Sequence, residues 1–455
     1  MSNPQRLSLK LCLGFGVGTL GVSIMLNTVT TYFPAFMSTV LGQSPEIAGY
    51  LLMGSKLYDA VADVVVGRWS DRTRSRWGRR RPFLLAGAIV SAASFLMLFS
   101  PPALSPNALA VYMAAALVLY SSGYSLFNVP YMTMPSEITA LYHERTRLLS
   151  YRTLFVSAGQ MLALAATAAL IQSGGGGNVG YRNMGLTMAL IIFSAMTGTV
   201  LGTVTAPAVP KQGPEAKLTG EQIALLWKNR PFMLLVGAKI FQFLAFASVA
   251  STGLLFLLNV LHVGYSGQIL LSISSNIALA ASLPLWVALG RRNGKRSTYL
   301  MGVMLFCAAA LSWLFADSGI GTTGLLLRGI VAGIGSGALI LMSISMLADT
   351  MAFDRKLTGQ QREGLLSAII AVIEKSAFAA GVVVLGLFLK EAHYLPTHGG
   401  ALVTQPASAI RAMYIGYAVI PALMFLLNGL FLFFYDLDES RLHKAEGIGT
   451  AEQLR

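Results

Sequence analysis

The chain has 455 residues, of which 55% are hydrophobic and 11% charged, and it carries a formal net charge of +14. A water-soluble globule usually needs about a quarter of its residues charged, so this composition excludes one and makes lipid the expected solvent. The positive charge is concentrated in the termini and alternate loops of an apolar chain, a distribution that argues against a nucleic-acid partner.

Apolar runs of about 20 residues, each long enough to cross a hydrocarbon core of about 30 Å as a helix, recur along the whole chain. In order they are Leu11–Phe36, Ile47–Val66, Phe83–Ser100, Ala108–Met132, Leu154–Ile171 and Met184–Val204, then Phe232–Val260, Gln268–Leu289, Tyr299–Phe315, Leu325–Leu347, Leu365–Leu389 and Ala412–Phe434. The first run is too long for a signal-peptide core and reads as helix 1. Between helices 6 and 7 lies the longest polar stretch, Pro207 to Arg230, rich in Pro and charge. The expected fold class is therefore an all-α membrane protein with twelve transmembrane helices in two pseudo-symmetric six-helix bundles. The bundles occupy 1–205 and 231–435, with a cytoplasmic linker at 206–230 and a cytoplasmic tail at 436–455. Weak internal repetition supports two halves. A Gly followed by a basic run occurs at Gly67–Arg81 and at Gly290–Arg296, and Leu-Leu-Ser occurs at 148–150 and 365–367.

Most of the 33 Lys and Arg lie in the N-terminus, the C-terminal tail and the loops 67–82, 135–147, 206–230, 290–297 and 350–363. The opposite loops hold Arg182, Lys390 and Arg411. By the positive-inside rule both termini are cytoplasmic, as expected for a multi-pass protein of a bacterial-type inner membrane. Cys12 and Cys307 fall inside helices far apart in sequence and read as packing residues. The five His lie in loops or at helix ends and form no metal or nucleophile constellation, so no catalysis is expected.

An ionisable side chain at bilayer depth costs about 2.5 kcal/mol or more, so each one is a functional candidate. Helix 2 carries Lys56, Asp59 and Asp63, whose spacings of three and four put them on one face. Counting back from Gly67, Asp59 lies roughly 12 Å and Asp63 roughly 6 Å into the membrane. Two carboxylates that close repel, so one takes a proton or a cation sits between them; either outcome makes a coupling-ion site. Lys56 could instead neutralise one of them as a structural ion pair. In helix 11, Lys375 lies about 16 Å beyond Gly364, near the midplane, and Glu374 beside it points about 100° away. The helix 2 aspartates are the evident partners for Lys375, which would tie the two halves together. Lys239 in helix 7 and Arg328 in helix 10 read as close enough to an end to snorkel.

The loop from Gly67 through Asp71, Arg72 and Gly78 to Arg79, Arg80 and Arg81 resembles the signature loop of the major facilitator superfamily. Gly67 would allow close helix approach, Gly78 would turn the chain, Asp71 would cap or pair, and the Arg cluster would anchor the cytoplasmic face. Tyr58-Asp59-Ala60-Val61-Ala62-Asp63, with that loop, is similar to helix 2 of the glycoside–pentoside–hexuronide:cation symporters, the melibiose-permease-like family of the superfamily. Further likeness comes from Asn128-Val129-Pro130-Tyr131, Pro135-Ser136-Glu137, Glu144 to Arg152, Ala348-Asp349-Thr350 to Gly364, and Lys375 with Gly381. The run Gly78 to Phe83 resembles the sucrose-carrying branch.

That resemblance implies cation-coupled symport of a sugar or glycoside by alternating access. Asp59, Asp63 and Ser125 would form the cation site with Asn128 and Lys56, and Arg152, Asn128 and Tyr131 would lie at the substrate. Two departures matter: Ala62 replaces the family's Asn, and Asn128 replaces a helix 4 Asp, which removes one negative charge and leaves sodium and proton both open. The family's Lys-Asp pair on helix 1 aligns near Leu20 and Gly21, so helix 1 would offer Asn27 and Thr31 to a polyol instead. The expected partners are a small-molecule substrate and membrane lipid, with no cofactor beyond the coupling ion, and the chain is expected to act as a monomer. Rival readings are a lysolipid carrier or a drug or metabolite exporter on the same fold, and a non-transporting assembly factor or sensor.

Overall fold

The structure is a computed structural model, and it describes residues 7–437 apart from 74, 140, 205, 207–225, 228, 359–361 and 402. The expected linker and tail lie almost wholly outside the described residues. Among the described residues, twelve long helical segments follow in order. They are α1 (Leu9–Thr39), α2 (Pro45–Arg72), α3 (Arg81–Phe99), α4 (Pro106–Ile138), α5 (Tyr142–Met161, continuing through a π turn at Leu162–Ala166 into Thr167–Ser173) and α6 (Gly177–Gly202). Then come α7 (Arg230–Asn259), α8 (Gly264–Asn293), α9 (Lys295–Leu311, ending in a 3₁₀ turn at Ser312–Phe315), α10 (Thr322–Thr358), α11 (Glu363–Glu391) and α12 (Ala407–Tyr414, a π turn at Ile415–Val419, then Ile420–Phe433).

Local chemistry sets the starts. Ser8 caps α1 by accepting from the Leu11 N–H at 3.2 Å, and Asn229 caps α7 by accepting from Phe232 at 3.1 Å. Pro45 and Pro106 open α2 and α4, where a missing N–H costs nothing. Among the described residues, eleven helices are long and apolar enough to cross a membrane. The remaining long helix is α2, which Lys56, Asp59 and Asp63 remove from the apolar class.

The loops expected at 135–147 and 350–363 are largely helical. Residues 135–138 belong to α4, 142–147 to α5, and α10 continues to Thr358. Hydropathy marks where lipid ends, whereas the helix stops where its backbone bonds stop. Ion pairs hold these protruding turns: Lys295 with Asp349 at 2.5 Å and Arg362 with Asp354 at 2.8 Å.

The packing sorts the helices into two sets. In the first, α1 lies against α5 and α6, α3 against α4 and α6, and α2 against α4. In the second, α7 lies against α11 and α12, α8 against α10, and α9 against α10 and α12. The sets meet chiefly through α2 on α11, with smaller contacts of α1 on α7 and α5 on α8. Glycines permit the closest of these approaches. A Cβ on Gly386 would stand 2.7 Å from the Pro45 carbonyl oxygen, and one on Gly49 would stand 3.0 Å from the Val383 Cα.

The two ends of the molecule differ. At the end opposite the basic loops, the segment after α11 is strapped onto α1. The Thr397 N–H donates to Ser38 O at 2.8 Å, Gly399 N–H to Val40 O at 2.8 Å and Gly400 N–H to Thr39 O at 3.0 Å. Lys390 pairs with Glu46 at 3.2 Å, and the Tyr265 hydroxyl donates to that of Tyr181 at 3.1 Å. At the basic end the ion pairs named here stay within one set.

Candidate functional site

The α2–α11 crossing carries the charged centre. The Lys375 ammonium lies 3.0 Å from Asp59 and 2.8 Å from Asp63, and so binds carboxylates of the other helix set. One face of α4 completes the cluster. The Ser125 hydroxyl donates to Asp63 Oδ1 at 2.7 Å and lies 3.2 Å from Asp59 Oδ1, while the Tyr124 ring sits 5.7 Å from the ammonium. Ser55 and Ser121, 2.9 Å apart, hold the same α2–α4 seam one turn away. Asp59 is 1% exposed, whereas Asp63 and Lys375 are 28% and 29% exposed. Lys375 and the nearby Lys56, which is in electrostatic contact with both aspartates, together balance the two carboxylates. An ammonium and a metal cation would satisfy the same oxygens, so the two compete for one place.

Lys56 does not form the ion pair that its spacing allowed. It makes no ion pair within 4 Å among the described residues, and it lines a void of about 10 Å³ with Ser55, Tyr120 and Phe378. That void is about large enough for one water. The Tyr120 hydroxyl, buried without a partner, borders it.

The residues expected at a substrate divide into two groups. Asn128 donates to the Tyr124 hydroxyl at 3.1 Å and so joins the second layer of the charged centre. Arg152 is half-buried on α5, has electrostatic contact with Tyr124 and Tyr131, and its Nε has no hydrogen-bond partner. Tyr131, by contrast, is fully buried. Its hydroxyl bonds Thr19 Oγ1 at 2.6 Å and Phe15 O at 2.9 Å, and its ring stacks between Phe15 and Phe127. Asn27 donates to its own helix at Ser23 O, 2.8 Å away, while Thr31 faces a cavity in the other set. The structure thus brings Arg152 against the Tyr131 side chain and Asn128 against Tyr124, whereas Asn27 bonds its own helix and Thr31 lines a cavity of the other set.

The loop between α2 and α3 is a structural clasp. Arg80 is buried and bonds three partners: Asp71 at 2.5 Å, Ser70 at 2.6 Å and Glu137 of α4 at 3.0 Å. Arg79 pairs with Glu137 at 2.7 Å. Gly78 has φ +87°, a left-handed turn that favours glycine, and Gly67 lies over Val129 of α4. Arg72 is exposed. In the second set, Asp354 accepts from Arg362 and from Asn229, the latter at 3.0 Å.

One buried pair was not foreseen from the sequence. Lys239 does not snorkel; its ammonium lies 2.8 Å from Glu374 and 5.6 Å from the Phe243 ring centre. Helix α11 therefore carries adjacent charges aimed at different helices, Glu374 at α7 and Lys375 at α2. The separation of about 100° between neighbours on a helix was the available signal.

Comparison with known proteins accords with this architecture. The chain is 24% identical to a glucuronide carrier protein homolog of Escherichia coli, covering 96% of this chain and 94% of that one. It is 23% identical to the isoprimeverose transporter of Lactiplantibacillus pentosus, covering 93% and 88%. Among solved structures, a bacterial homolog of the human lysosomal transporter Spinster, inward-facing and unoccupied, superposes with a TM-score of 0.67 over 96% of this chain at 14% identity. That likeness establishes the major facilitator fold. Residues 14–439 match the family model described as MFS/sugar transport protein, and the chain belongs to that family of membrane transporters.

Proposed function

We propose that this protein is a cation-coupled symporter for a sugar or glycoside, with Asp59, Asp63 and Ser125 as the seat of the coupling ion. The observation that carries the reading is the position of Lys375, bound to both carboxylates from the opposite helix set. A cation entering between Asp59 and Asp63 displaces the ammonium and loosens α2 from α11, so ion binding and movement of the two sets become linked. The sets correspond to bundles at 1–205 and 231–435 that rock about this centre. With the basic loops and both termini in the cytoplasm of a bacterial inner membrane, the strapped end faces outward. Asn128, bonded to Tyr124, and Arg152, in contact with Tyr124 and Tyr131, are the substrate-binding groups of this reading. A guanidinium can hydrogen-bond vicinal hydroxyls in a bidentate way. The two relatives named for isoprimeverose and a glucuronide favour a sugar-class substrate over a lysolipid or an exported drug. Neither sodium nor proton is preferred by the geometry, and the protein acts as a monomer in lipid.

Uptake into proteoliposomes tests the proposal. A panel of mono- and disaccharides is offered under an imposed sodium gradient and, separately, a proton gradient. Concentrative uptake of at least one sugar under one gradient supports the reading. Equal uptake with and without either gradient would remove coupling from it.

A further inference from the structure

The two helix sets also meet at the strapped end, and this contact is built differently from the charged centre. Helix α1 ends at Thr39, and the last carbonyls of a helix have no donor within it. Two of them are served locally: Phe36 O accepts from the Val40 and Leu41 N–H groups, and Met37 O from Gln43. The rest are served by the opposite set. Ser38 O accepts from the Thr397 N–H, Val40 O from Gly399, and Thr39 O from Gly400 and also from the Thr397 hydroxyl at 2.9 Å. Residues 397–400 therefore complete the C-terminal cap of α1, although they follow α11.

This segment is held in shape by its own set. The Gln405 side chain clips Leu395 twice, accepting from its N–H and donating to its carbonyl oxygen, each at 2.9 Å. The Ser408 hydroxyl, at the start of α12, donates to Ala392 O at 2.8 Å. The fit on the first set is close. A Cβ on Gly42 would run into the His398 ring, and one on Gly177, the first residue of α6, would run into the Gly399 carbonyl oxygen. A preshaped tongue of one set is thus seated on α1 and α6 of the other through neutral groups.

Two buried polar atoms oppose the seating. Ser38 Oγ and Glu46 Oε2 lie on the first set at this end, and each is buried without a hydrogen-bond partner, although Glu46 Oε1 pairs with Lys390. A buried polar atom left unpaired is destabilising by its full desolvation. Parting of the sets at this end hydrates both atoms, and the carbonyl oxygens of residues 38–40 exchange the donors of the strap for water. A permanent brace has no use for such an opposing term, whereas a joint that must open does.

We propose that residues 397–400 form a releasable latch, which caps α1 while this end is closed and lets go each time the two sets part there. The latch takes its purpose from the transport reading, so its first test needs no substrate. Spin labels are placed on cysteines at Val179 of α6 and Leu395, both exposed, in the full chain in lipid nanodiscs. Pulsed electron paramagnetic resonance should find a short distance and a distinctly longer one. The longer population should grow severalfold in Thr397→Val, which removes one hydrogen bond of the strap, and in Lys375→Ala, which frees the sets at the centre. If the strap is a fixed brace, Thr397→Val lowers the melting temperature, but one short distance persists in the parent and both variants, and the proposal is overturned.

The second test locks the latch. Leu41 and His398 face each other as an antiparallel pair, whose spacing of about 4.5–5.5 Å between Cα atoms lies within the range a disulfide accepts. The variant Leu41→Cys with His398→Cys, oxidised in proteoliposomes, should lose sugar uptake at least tenfold and regain it on reduction. Full uptake by the cross-linked protein, or failure of the pair to cross-link, overturns the proposal. If the unmodified protein takes up no sugar, the transport reading has failed, and the distance measurement alone decides the latch.

Discussion

Lys375 on α11 and Asp63 on α2 lie 312 residues apart in the chain and 2.8 Å apart in space, and they join the two helix sets at mid-depth. The ammonium is shared with Asp59, so deleting it leaves two carboxylates facing each other in a poorly hydrated seam. Lys375→Ala alone should lower thermal stability by on the order of 3 kcal/mol and reduce transport, as expected when one partner of a buried pair is removed. Adding Asp59→Asn or Asp63→Asn should restore part of the folding yield without restoring coupled uptake. A double-mutant cycle on melting temperatures reads the interaction directly, and strictly additive losses would show that the charges are not coupled.

Single neutralisation of the carboxylates separates coupling from binding. Asp59→Asn and Asp63→Asn should each abolish accumulation against a gradient while leaving downhill substrate flux measurable, because one remaining charge cannot hold the ion as the pair does. Normal concentrative uptake by both variants would remove these residues from the ion site.

The Lys239–Glu374 pair is confined to the second helix set, so its loss should be a stability effect. Glu374→Gln leaves a buried ammonium opposite a neutral amide and should destabilise the protein by about 2 kcal/mol. Lys239→Met combined with Glu374→Leu should recover most of that loss and retain gradient-driven uptake. Failure of the double variant to accumulate substrate, when it is normally folded, would place the pair in the coupling path.

Contact between α2 and α11 at the strapped end depends on Gly386, where any Cβ meets the Pro45 carbonyl oxygen. Gly386→Leu should wedge the helices apart and expose the centre from that side. A cysteine introduced at Ser55, buried on α2 at the seam beside the centre, should then be labelled by a membrane-impermeant maleimide several times faster than in the parent. Cys12 and Cys307 are free and buried, so they contribute little background. Unchanged labelling would show that this crossing does not control access.

Orientation has its own check. The asymmetry of Lys and Arg puts the turn before α6 outside the cell. A phosphatase reporter fused after Gly175 should be active, and a cytoplasmic signal from that fusion would invert the assignment of the two ends.

Much of this molecule was readable in its chain because lipid makes the problem local. A segment in hydrocarbon must satisfy its own backbone, so runs of apolar residues already specify helices. The 3.6-residue period placed Asp59 and Asp63 on one face of α2, and the rise per residue put Lys375 at their depth. Those two rules fix a residue's azimuth and height on its own helix, but they do not say which helix stands opposite. That is why sequence spacing left Lys56 and Lys375 as rival partners, and only the glycine-permitted crossing of α2 and α11 gave both carboxylates to Lys375. The same limit applied to Tyr131, whose neighbours Thr19, Phe15 and Arg152 lie on other helices and could not be read from spacing. It applied again to Lys239, whose partner Glu374 lies 135 positions away on a different helix. Arg328 shows it as well: its spacing read as close enough to an end to snorkel, but only the packing of α9 against α10 gave its guanidinium the Ser312 carbonyl oxygen and the Trp313 ring.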